Sequence, residues 1–402
     1  MISKIRTALI VILFTILVGG VGYEKGREVG RYGGVVQVKS EEKADMNLFW
    51  DVWERLESNY FDSSKISAKN MVLGAIKGMT ASLDDPYTTF LPPTENTRSK
   101  EDLSGEFSGV GIQLGYIEKT LAVIAPIPDN PAIKAGILAG DLILKIVDKE
   151  KEVDKDTTGI SLMEAMNLIR GKIGTEVTLT VLHKDALETT EITMMRDTIN
   201  VVSVELKWVG NGNRIAHLRV FRFGDKTLAE WESAVGEILE KRRTGKFDGV
   251  IVDLRNNPGG YLKGAIDLAS EFIDEGVVVQ QQGKDDTRQF NVDRVGELVG
   301  VKLVVLVNGG SASASEILSG ALRERVGAKL VGEKTFGKGT VQEASELPGG
   351  AGLHTTIAKW LLPSGKNIHD EGIMPDIEVK YEAKKDDPKY DNQLEKAIEV
   401  VK

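Results

Sequence analysis

The fold of this chain is decided by residues 304–342. The stretch opens with Val304-Val305-Leu306-Val307-Asn308-Gly309-Gly310-Ser311-Ala312-Ser313-Ala314-Ser315-Glu316. It closes with Gly332-Glu333-Lys334-Thr335-Phe336-Gly337-Lys338-Gly339-Thr340-Val341-Gln342. The apolar run at its start predicts a buried strand, and the apolar residues after the Gly/Ser turn recur at helical spacing. A serine therefore lies where a strand leads into a helix, and a lysine lies just past the next strand.

This arrangement suits a serine nucleophile with a lysine base. A serine hydroxyl is a poor nucleophile until a neighbouring base takes its proton. Lysine can be that base only if burial lowers its pKa toward neutrality, and Phe336 and Val341 flank Lys338 and can supply the burial. If residues 338–342 are extended, Lys338 and Gln342 share a face, so that Gln342 can hold the lysine amine.

Other interpretations of the same residues remain open at this point. Ser313 and Glu316 have the spacing of a capping box, in which the serine only starts a helix. Spacing alone does not choose among Ser311, Ser313 and Ser315 as the nucleophile. A phosphate loop is less well matched, because Gly339 stands where that motif needs a serine or threonine to bind the metal.

Together the two motifs resemble those of the carboxyl-terminal processing proteases, also called tail-specific proteases. The resemblance extends from about residue 47 to about residue 379. It implies that Ser313 is the nucleophile, that Lys338 is the general base, and that Gln342 supports the lysine.

A second glycine-containing turn lies upstream, in the sequence Asp253-Leu254-Arg255-Asn256-Asn257-Pro258-Gly259-Gly260. The buried strand before it and the helix predicted over residues 262–272 place backbone N–H groups at a helix start. A simple tight turn is the alternative. The family resemblance implies that Gly259 and Ala314 donate hydrogen bonds to the oxyanion.

Residues 104–190 form a unit whose order of strands, glycine loop and amphipathic helix resembles a PDZ domain of the bacterial protease type. Such domains bind an extended C-terminal peptide by strand addition. The resemblance implies that the amides of Val110, Gly111 and Ile112 take the terminal carboxylate. The side-chain pocket would be lined by Ile112, Leu114, Leu162, Met166 and Ile169. The alternative is that these glycines only form a hairpin.

Arg170 stands at the C-terminal end of the predicted groove helix, where a cation is favoured. We hypothesise that it reaches the protease body and reports whether the groove is occupied. The alternatives are a helix-capping or a solvated arginine.

Composition limits the classes of function. The chain has 402 residues, a net charge of −9 and no cysteine. The negative charge gives no indication of a nucleic-acid partner, and the absence of cysteine excludes disulfides and thiolate chemistry. Lys4 and Arg6 precede an apolar run over residues 7–23, which is either a secretion signal or an anchor. Without an Ala-x-Ala cleavage pattern we expect an uncleaved membrane anchor, with an extracytoplasmic, periplasmic body.

The expected architecture is α/β (α+β) and multidomain. Its segments are a signal anchor (1–23), a tether (24–44), an N-terminal helical region (45–103), the PDZ domain (104–190), the tail-specific protease core (191–382) and a charged, helical C-terminal segment (383–402). Within the helical region, Asp84 and Asp85 are expected to lie in a solvated turn.

The predicted function is that of a serine endopeptidase that recognises the C-terminal tails of protein substrates and works through an acyl-enzyme. The alternative is a catalytically silent PDZ scaffold. No cofactor is implied. No two of the four histidines, His183, His217, His354 and His369, have metal-ligand spacing, so no metal site is expected. The apolar face of residues 46–56 is compatible with a homodimer.

Overall fold

A computed structural model describes residues 45–127, 129–184, 186–382, 384, 387 and 390–402. The predicted anchor and tether lie outside these residues. Within the described part of the chain, no helix combines the length and the apolar character needed to cross a membrane. The chain divides into two compact units, Met1–Met71 and Val72–Lys402, which are taken separately.

The described part of the first unit is helical, as the sequence predicted. Helix α1 covers Asn47–Asn59, a 3-10 turn covers Ser63–Lys65, and helix α2 (Ala68–Ala81) begins here and continues into the second unit. No residue of α1 is buried, and its apolar side chains Leu48 and Trp50 are 71% and 54% exposed. Helix α1 therefore carries an uncovered apolar surface.

The second unit contains seven further helices and nineteen strands among its described residues. The helices are Pro93–Ser104 (α3), Pro131–Lys134 (α4), Leu162–Ile169 (α5), Thr227–Arg243 (α6), Leu262–Ser270 (α7), Ala314–Val326 (α8) and Asn392–Val401 (α9). The first ten strands are Thr89–Leu91 (β1), Glu106–Gly109 (β2), Ile112–Ile117 (β3), Thr120–Pro126 (β4), Leu142–Asp148 (β5), Val153–Asp156 (β6), Glu176–Leu182 (β7), Thr190–Met195 (β8), Asp197–Asn200 (β9) and Val204–Val209 (β10). The others are Ile215–Val220 (β11), Gly249–Asp253 (β12), Val277–Gln282 (β13), Thr287–Asn291 (β14), Leu303–Val307 (β15), Lys329–Gly332 (β16), Thr340–Glu346 (β17), Gly352–Leu361 (β18) and Ile377–Glu378 (β19).

The largest core surrounds a six-stranded sheet in the order β10-β11-β12-β15-β16-β19. All neighbours are parallel except β10, which runs antiparallel to β11. Every residue of β12 is buried, as expected for a continuous apolar run in a sheet covered on both faces. Helices α6, α7 and α8 cover one face, and α9 covers the other through Ala397 and Val401. The charged end of the chain thus helps to close the core.

A second sheet lies beside this core and is antiparallel throughout. Its order is β1-β18-β13-β14, with β17 also paired to β18. Strand β1 comes from the N-terminal helical region, and its register with β18 pairs Thr89 with His354. This sheet therefore joins the start of the second unit to the hairpin that follows Lys338.

The PDZ-like unit has its own sheet, in the order β3-β4-β5-β7-β8, and its own apolar core. Its last strand, β8, ends at Met195 and so continues past residue 190. Strands β2 and β9 pair with each other where the chain enters and leaves the unit. The unit is therefore an insertion whose two ends are held together.

Candidate active site

Ser313 has an unusual backbone conformation at the start of α8. Its φ is 56° and its ψ is −116°, a region that residues other than glycine rarely occupy. Such strain persists only where the surrounding structure imposes it, and it is concentrated at functional sites. The serine is therefore held in place by its neighbours rather than by its own preference.

The other two serines of the motif have structural roles. The Ser311 hydroxyl donates to the Leu254 carbonyl at 2.8 Å, and the Ser315 hydroxyl donates to the Asn257 carbonyl at 2.9 Å. Both serines are fully buried, whereas Ser313 is only half-buried. Of the three candidates that spacing left open, only Ser313 has an accessible hydroxyl free of such a bond.

The capping box is formed largely through the backbone and Glu316. The Ser313 N–H donates to Glu316 Oε2 at 2.9 Å, and the Glu316 N–H donates to the Ser313 carbonyl oxygen at 2.8 Å. The Ser313 side chain faces the Glu316 N–H in the arrangement of a capping box, without a hydrogen bond of standard geometry. A helix-starting role and a nucleophilic role are therefore compatible at this residue.

Glu316 connects the serine to the lysine loop. Its carboxylate is fully buried and also accepts hydrogen bonds from the Thr335 hydroxyl (2.5 Å), the Gly337 N–H (2.7 Å) and the Lys338 N–H (2.9 Å). Because Oε2 accepts from both Ser313 and Lys338 at 2.9 Å, their nitrogens lie at most twice that distance apart. Burial raises the pKa of Glu316, although these donors oppose the shift. The sequence indicated only a capping role for this residue.

Lys338 lies in the loop before β17, and burial lowers the pKa of its amine, while the Asp85 charge partly opposes the shift. The expected cover, Phe336, is 57% exposed and shields little. The Tyr87 ring lies over the amine instead, with Nζ 5.0 Å from the ring centroid. Among the described residues, Lys338 Nζ donates no hydrogen bond, so the amine is not bonded to the Ser313 hydroxyl.

Gln342 is bonded to threonines rather than to the lysine. Its amide nitrogen donates to Thr340 Oγ1 at 2.8 Å and to Thr356 Oγ1 at 3.2 Å. The pairing of β17 with β18 is irregular between Val341 and Gln342. The role of Gln342 in supporting Lys338 stays a prediction.

The glycine turn after β12 packs directly against the serine. A Cβ on Gly259 would lie 2.8 Å from Ser313 Cβ and 3.0 Å from the Ala314 nitrogen, so only glycine fits there. The Gly259 N–H donates to Asn257 Oδ1 at 2.9 Å, whereas the Ala314 N–H has no acceptor in the described part of the chain. Both predicted oxyanion donors therefore border Ser313. The Gly259 N–H would have to break its hydrogen bond to Asn257 before it could donate to a substrate oxyanion.

Side-chain bonds fix this turn to the rest of the core. Asn256 and Asn308 exchange two hydrogen bonds, of 2.9 and 3.0 Å, which join the glycine turn to the serine turn. Arg255 bridges the fully buried Asp253 and Asp391, which starts α9. The glycine turn is thus held by exposed hydrogen bonds at Asn256 and by partly buried ones at Arg255.

Rival chemistries find little support in the geometry. His217 lies 3.0 Å from Asp253, and His183 lies 2.8 Å from Asp141, so both have structural partners away from Ser313. No group of three potential metal ligands occurs among the described residues. The amides of Gly337 and Lys338 donate to a carboxylate, which would repel a bound phosphate. These contacts give no support to a phosphate loop or to a histidine triad through His217 or His183.

Comparison with known proteins agrees with this geometry. Residues 214–379 match peptidase family S41, residues 108–194 match a PDZ domain, and residues 25–94 match the activating protease CtpB N-terminal domain. A carboxy-terminal-processing protease of Bartonella bacilliformis is 36% identical over 335 residues, which cover 83% of this chain and 74% of the relative. The chain belongs to the carboxy-terminal processing protease family.

Two further comparisons support the assignment of this chain to the carboxy-terminal processing protease family. The carboxy-terminal processing protease CtpA of Bacillus subtilis is 37% identical over 331 residues, covering 82% of this chain and 67% of the relative. The solved structure of a photosystem II D1 C-terminal processing protease is 28% identical, with a TM-score of 0.50 over 84% of this chain and 94% of that one. The predicted family, the α/β fold with an S41 core and a PDZ domain, and the assignment as a serine peptidase are confirmed.

The PDZ domain of this carboxy-terminal processing protease has a groove beside an edge strand. Strand β3 lies at the edge of its sheet, and α5 packs against it. Among the predicted groove residues, Ile112, Leu114, Leu162 and Met166 are half-buried, whereas Val110 and Ile169 are buried in the domain core. The half-buried set is the part that a peptide side chain can reach.

Arg170 contacts one residue that lies outside the PDZ domain of the protease. It is the C-cap of α5, its guanidinium lies 4.2 Å from the Phe107 ring centroid, and its Nη1 donates to Glu101 Oε2 at 3.2 Å. Glu101 belongs to α3, in the N-terminal helical region. Arg170 is thus a partly buried link from the groove helix to the region before the PDZ domain.

Proposed function

We propose that this protease hydrolyses peptide bonds with a Ser313–Lys338 dyad through an acyl-enzyme. The observation that carries the proposal is the single Glu316 oxygen that accepts the backbone N–H groups of both residues. It supports a common site for a strained serine and a half-buried lysine. A catalytically silent scaffold would have no need of this convergence.

The chemistry starts with the neutral amine of Lys338, which takes the proton of the Ser313 hydroxyl as the oxygen attacks the substrate carbonyl carbon. Ala314 and Gly259 donate their N–H groups to the oxyanion of the tetrahedral intermediate. The protonated lysine then gives its proton to the leaving amine. Water activated by the same lysine hydrolyses the acyl-enzyme, and Gln342 supports the amine during both steps.

Substrates are captured by their C-terminal tails. The tail adds as a strand beside β3, and its carboxylate binds the amides of Val110, Gly111 and Ile112. In support, the N–H groups of Val110 and Gly111 have no acceptor within the described residues, and Gly111 has a φ of 78°. Occupation of the groove would move α5, and the Arg170–Glu101 pair would transmit the movement.

The protein is anchored in the cytoplasmic membrane by residues 7–23, with the protease in the periplasm. Removal of residues 1–23 would convert it to a soluble enzyme, and extraction of the full-length chain without detergent would contradict the anchor. The exposed face of α1 supports a homodimer, which sedimentation analysis of the full chain with and without Trp50→Ala tests.

The dyad is tested by incubating the enzyme with casein and tailed peptides and identifying the products by mass. Ser313→Ala and Lys338→Ala should each abolish cleavage while the protein stays folded, because members of one catalytic unit fail together. Replacement of all four histidines should leave residual activity. Loss of activity in a folded histidine-free enzyme would reject the lysine as the base.

A further inference from the structure

The turn before β1, within the second unit, lies beside the candidate active site. Strand β1 pairs with β18, with Thr89 opposite His354, and this pairing carries the preceding turn to the lysine loop. That turn contains Asp85 and Tyr87, and the sequence predicted a solvated position for Asp85 and its neighbour Asp84. Asp85 and Tyr87 are instead half-buried, and Thr88 is 7% exposed.

Tyr87 covers the amine of Lys338. The Nζ atom lies 5.0 Å from the Tyr87 ring centroid, within the range of a cation–π contact. The ring also contacts His369, with centroids 6.1 Å apart. The tyrosine therefore contacts both the lysine and a second loop of the protease core.

Asp85 holds this turn in shape. Its carboxylate accepts hydrogen bonds from the Tyr87 N–H at 3.0 Å and from the Thr88 hydroxyl at 2.7 Å. The Thr88 oxygen in turn accepts from the Thr356 N–H at 3.0 Å, and Thr356 Oγ1 accepts from the Gln342 amide at 3.2 Å. A continuous chain of hydrogen bonds thus runs from Asp85 to the residue predicted to support the lysine.

We propose that Tyr87 and Asp85 are positioning residues for the lysine base: Tyr87 shields the Lys338 amine from water, and Asp85 orients Tyr87 and faces the amine with a negative charge. The inference rests on the proposed dyad. It assigns the turn before β1 a role in the chemistry of a loop some 250 residues away in sequence.

The two residues act on Lys338 in opposite directions. Burial lowers the pKa of the Lys338 amine, and the Asp85 charge raises it. The other charged or titratable groups around the amine and its cover are Glu316 on α8, His354 on β18, and His369 with Asp370 beside Tyr87. None of these is altered when Asp85 or Tyr87 is substituted. Asparagine keeps the Oδ1 acceptor for the Tyr87 N–H, so Asp85→Asn tests the charge and Tyr87→Ala tests the cover.

The experiment measures, as a function of pH, the rate at which the full-length enzyme is labelled by a fluorophosphonate and cleaves a tailed peptide. Asp85→Asn removes the charge that favours the ammonium form, so the midpoint of the rise should move to lower pH. Tyr87→Ala admits water, so the midpoint should move to higher pH, and labelling at neutral pH should fall by about 10-fold or more. Tyr87→Phe keeps the ring and should restore the parent midpoint.

Asp84→Asn is the matched control, because Asp84 is the exposed neighbour and carries the same charge. It should leave the midpoint unchanged, and thermal unfolding checks that every variant is folded. Identical midpoints in Asp85→Asn, Tyr87→Ala and the parent would overturn the inference, as would shifts in the same direction. If the proposed Ser313–Lys338 dyad were itself wrong, the result would be different, because the Lys338→Ala enzyme would still be labelled by the fluorophosphonate.

Discussion

Substitution of Glu316 by glutamine tests whether one buried carboxylate holds the serine and the lysine together. The carboxylate accepts two hydrogen bonds at Oε1, from Thr335 and Gly337, and two at Oε2, from Ser313 and Lys338. A glutamine side chain presents an NH2 group on one of these sides. Either orientation therefore leaves at least one backbone N–H facing another donor.

The expected loss of stability follows from the number of donors that are left without an acceptor. A buried donor without an acceptor costs about 1–3 kcal/mol. Part of this cost is offset, because glutamine removes a buried charge whose burial already raises the pKa of Glu316. We expect the free energy of unfolding to fall by about 1–3 kcal/mol for Glu316→Gln. A displacement of about 1 Å between nucleophile and base should lower kcat by about 100-fold.

The assay combines urea denaturation with hydrolysis of a tailed peptide. Glu343→Gln is the matched control, because Glu343 is exposed on the neighbouring strand β17 and makes the same change of charge. It should leave both quantities close to those of the parent. A Glu316→Gln enzyme with parental stability and kcat would refute the idea that this carboxylate positions the dyad.

Three other perturbations have defined outcomes. The rate of cleavage should rise with pH as Lys338 loses its proton. Because burial lowers the pKa of this lysine, the midpoint of the rise should lie below the ordinary pKa range of lysine. A midpoint within that range would contradict the assignment of Lys338 as the base. Arg255→Leu leaves the fully buried Asp253 without its guanidinium partner. The free energy of unfolding, measured in urea, should therefore fall by about 3–5 kcal/mol. An unchanged urea midpoint would show that the Arg255–Asp253 pair is dispensable for stability. Gly339→Ala puts a Cβ 2.5 Å from a backbone nitrogen of the neighbouring loop and should abolish cleavage, while Gly236→Ala on α6, with open space around it, should not.

Much of the fold was predictable because the buried parallel strands are continuous apolar runs. Strands β12 and β15 could be identified in this way, as could the helices that follow their Gly-containing turns. The pairing of β1 with β18 could not, since a three-residue strand has no periodicity and its partner is distant in sequence. The covering role of α9 was also hidden, because a short helix with many charges looks like a solvated one.

The candidate site was likewise predictable only in part. The motifs drew attention to Ser313 and Lys338, but only the tertiary hydrogen bonds of Ser311 and Ser315 separate the three serines. Asp85 was expected in a solvated turn because turn preferences are local, whereas its position beside Lys338 comes from the pairing of β1. Local patterns therefore indicated the chemistry, and long-range contacts determined which residues surround it.

The most direct test of the dyad is to locate a covalent adduct. The enzyme is labelled with a fluorophosphonate near its pH optimum and digested with trypsin, and the peptide that contains all three motif serines is fragmented in the mass spectrometer. We expect one phosphonyl group, on Ser313, and no adduct in folded Lys338→Ala protein. An adduct on Ser311 or Ser315, or full labelling of Ser313 without Lys338, would contradict it.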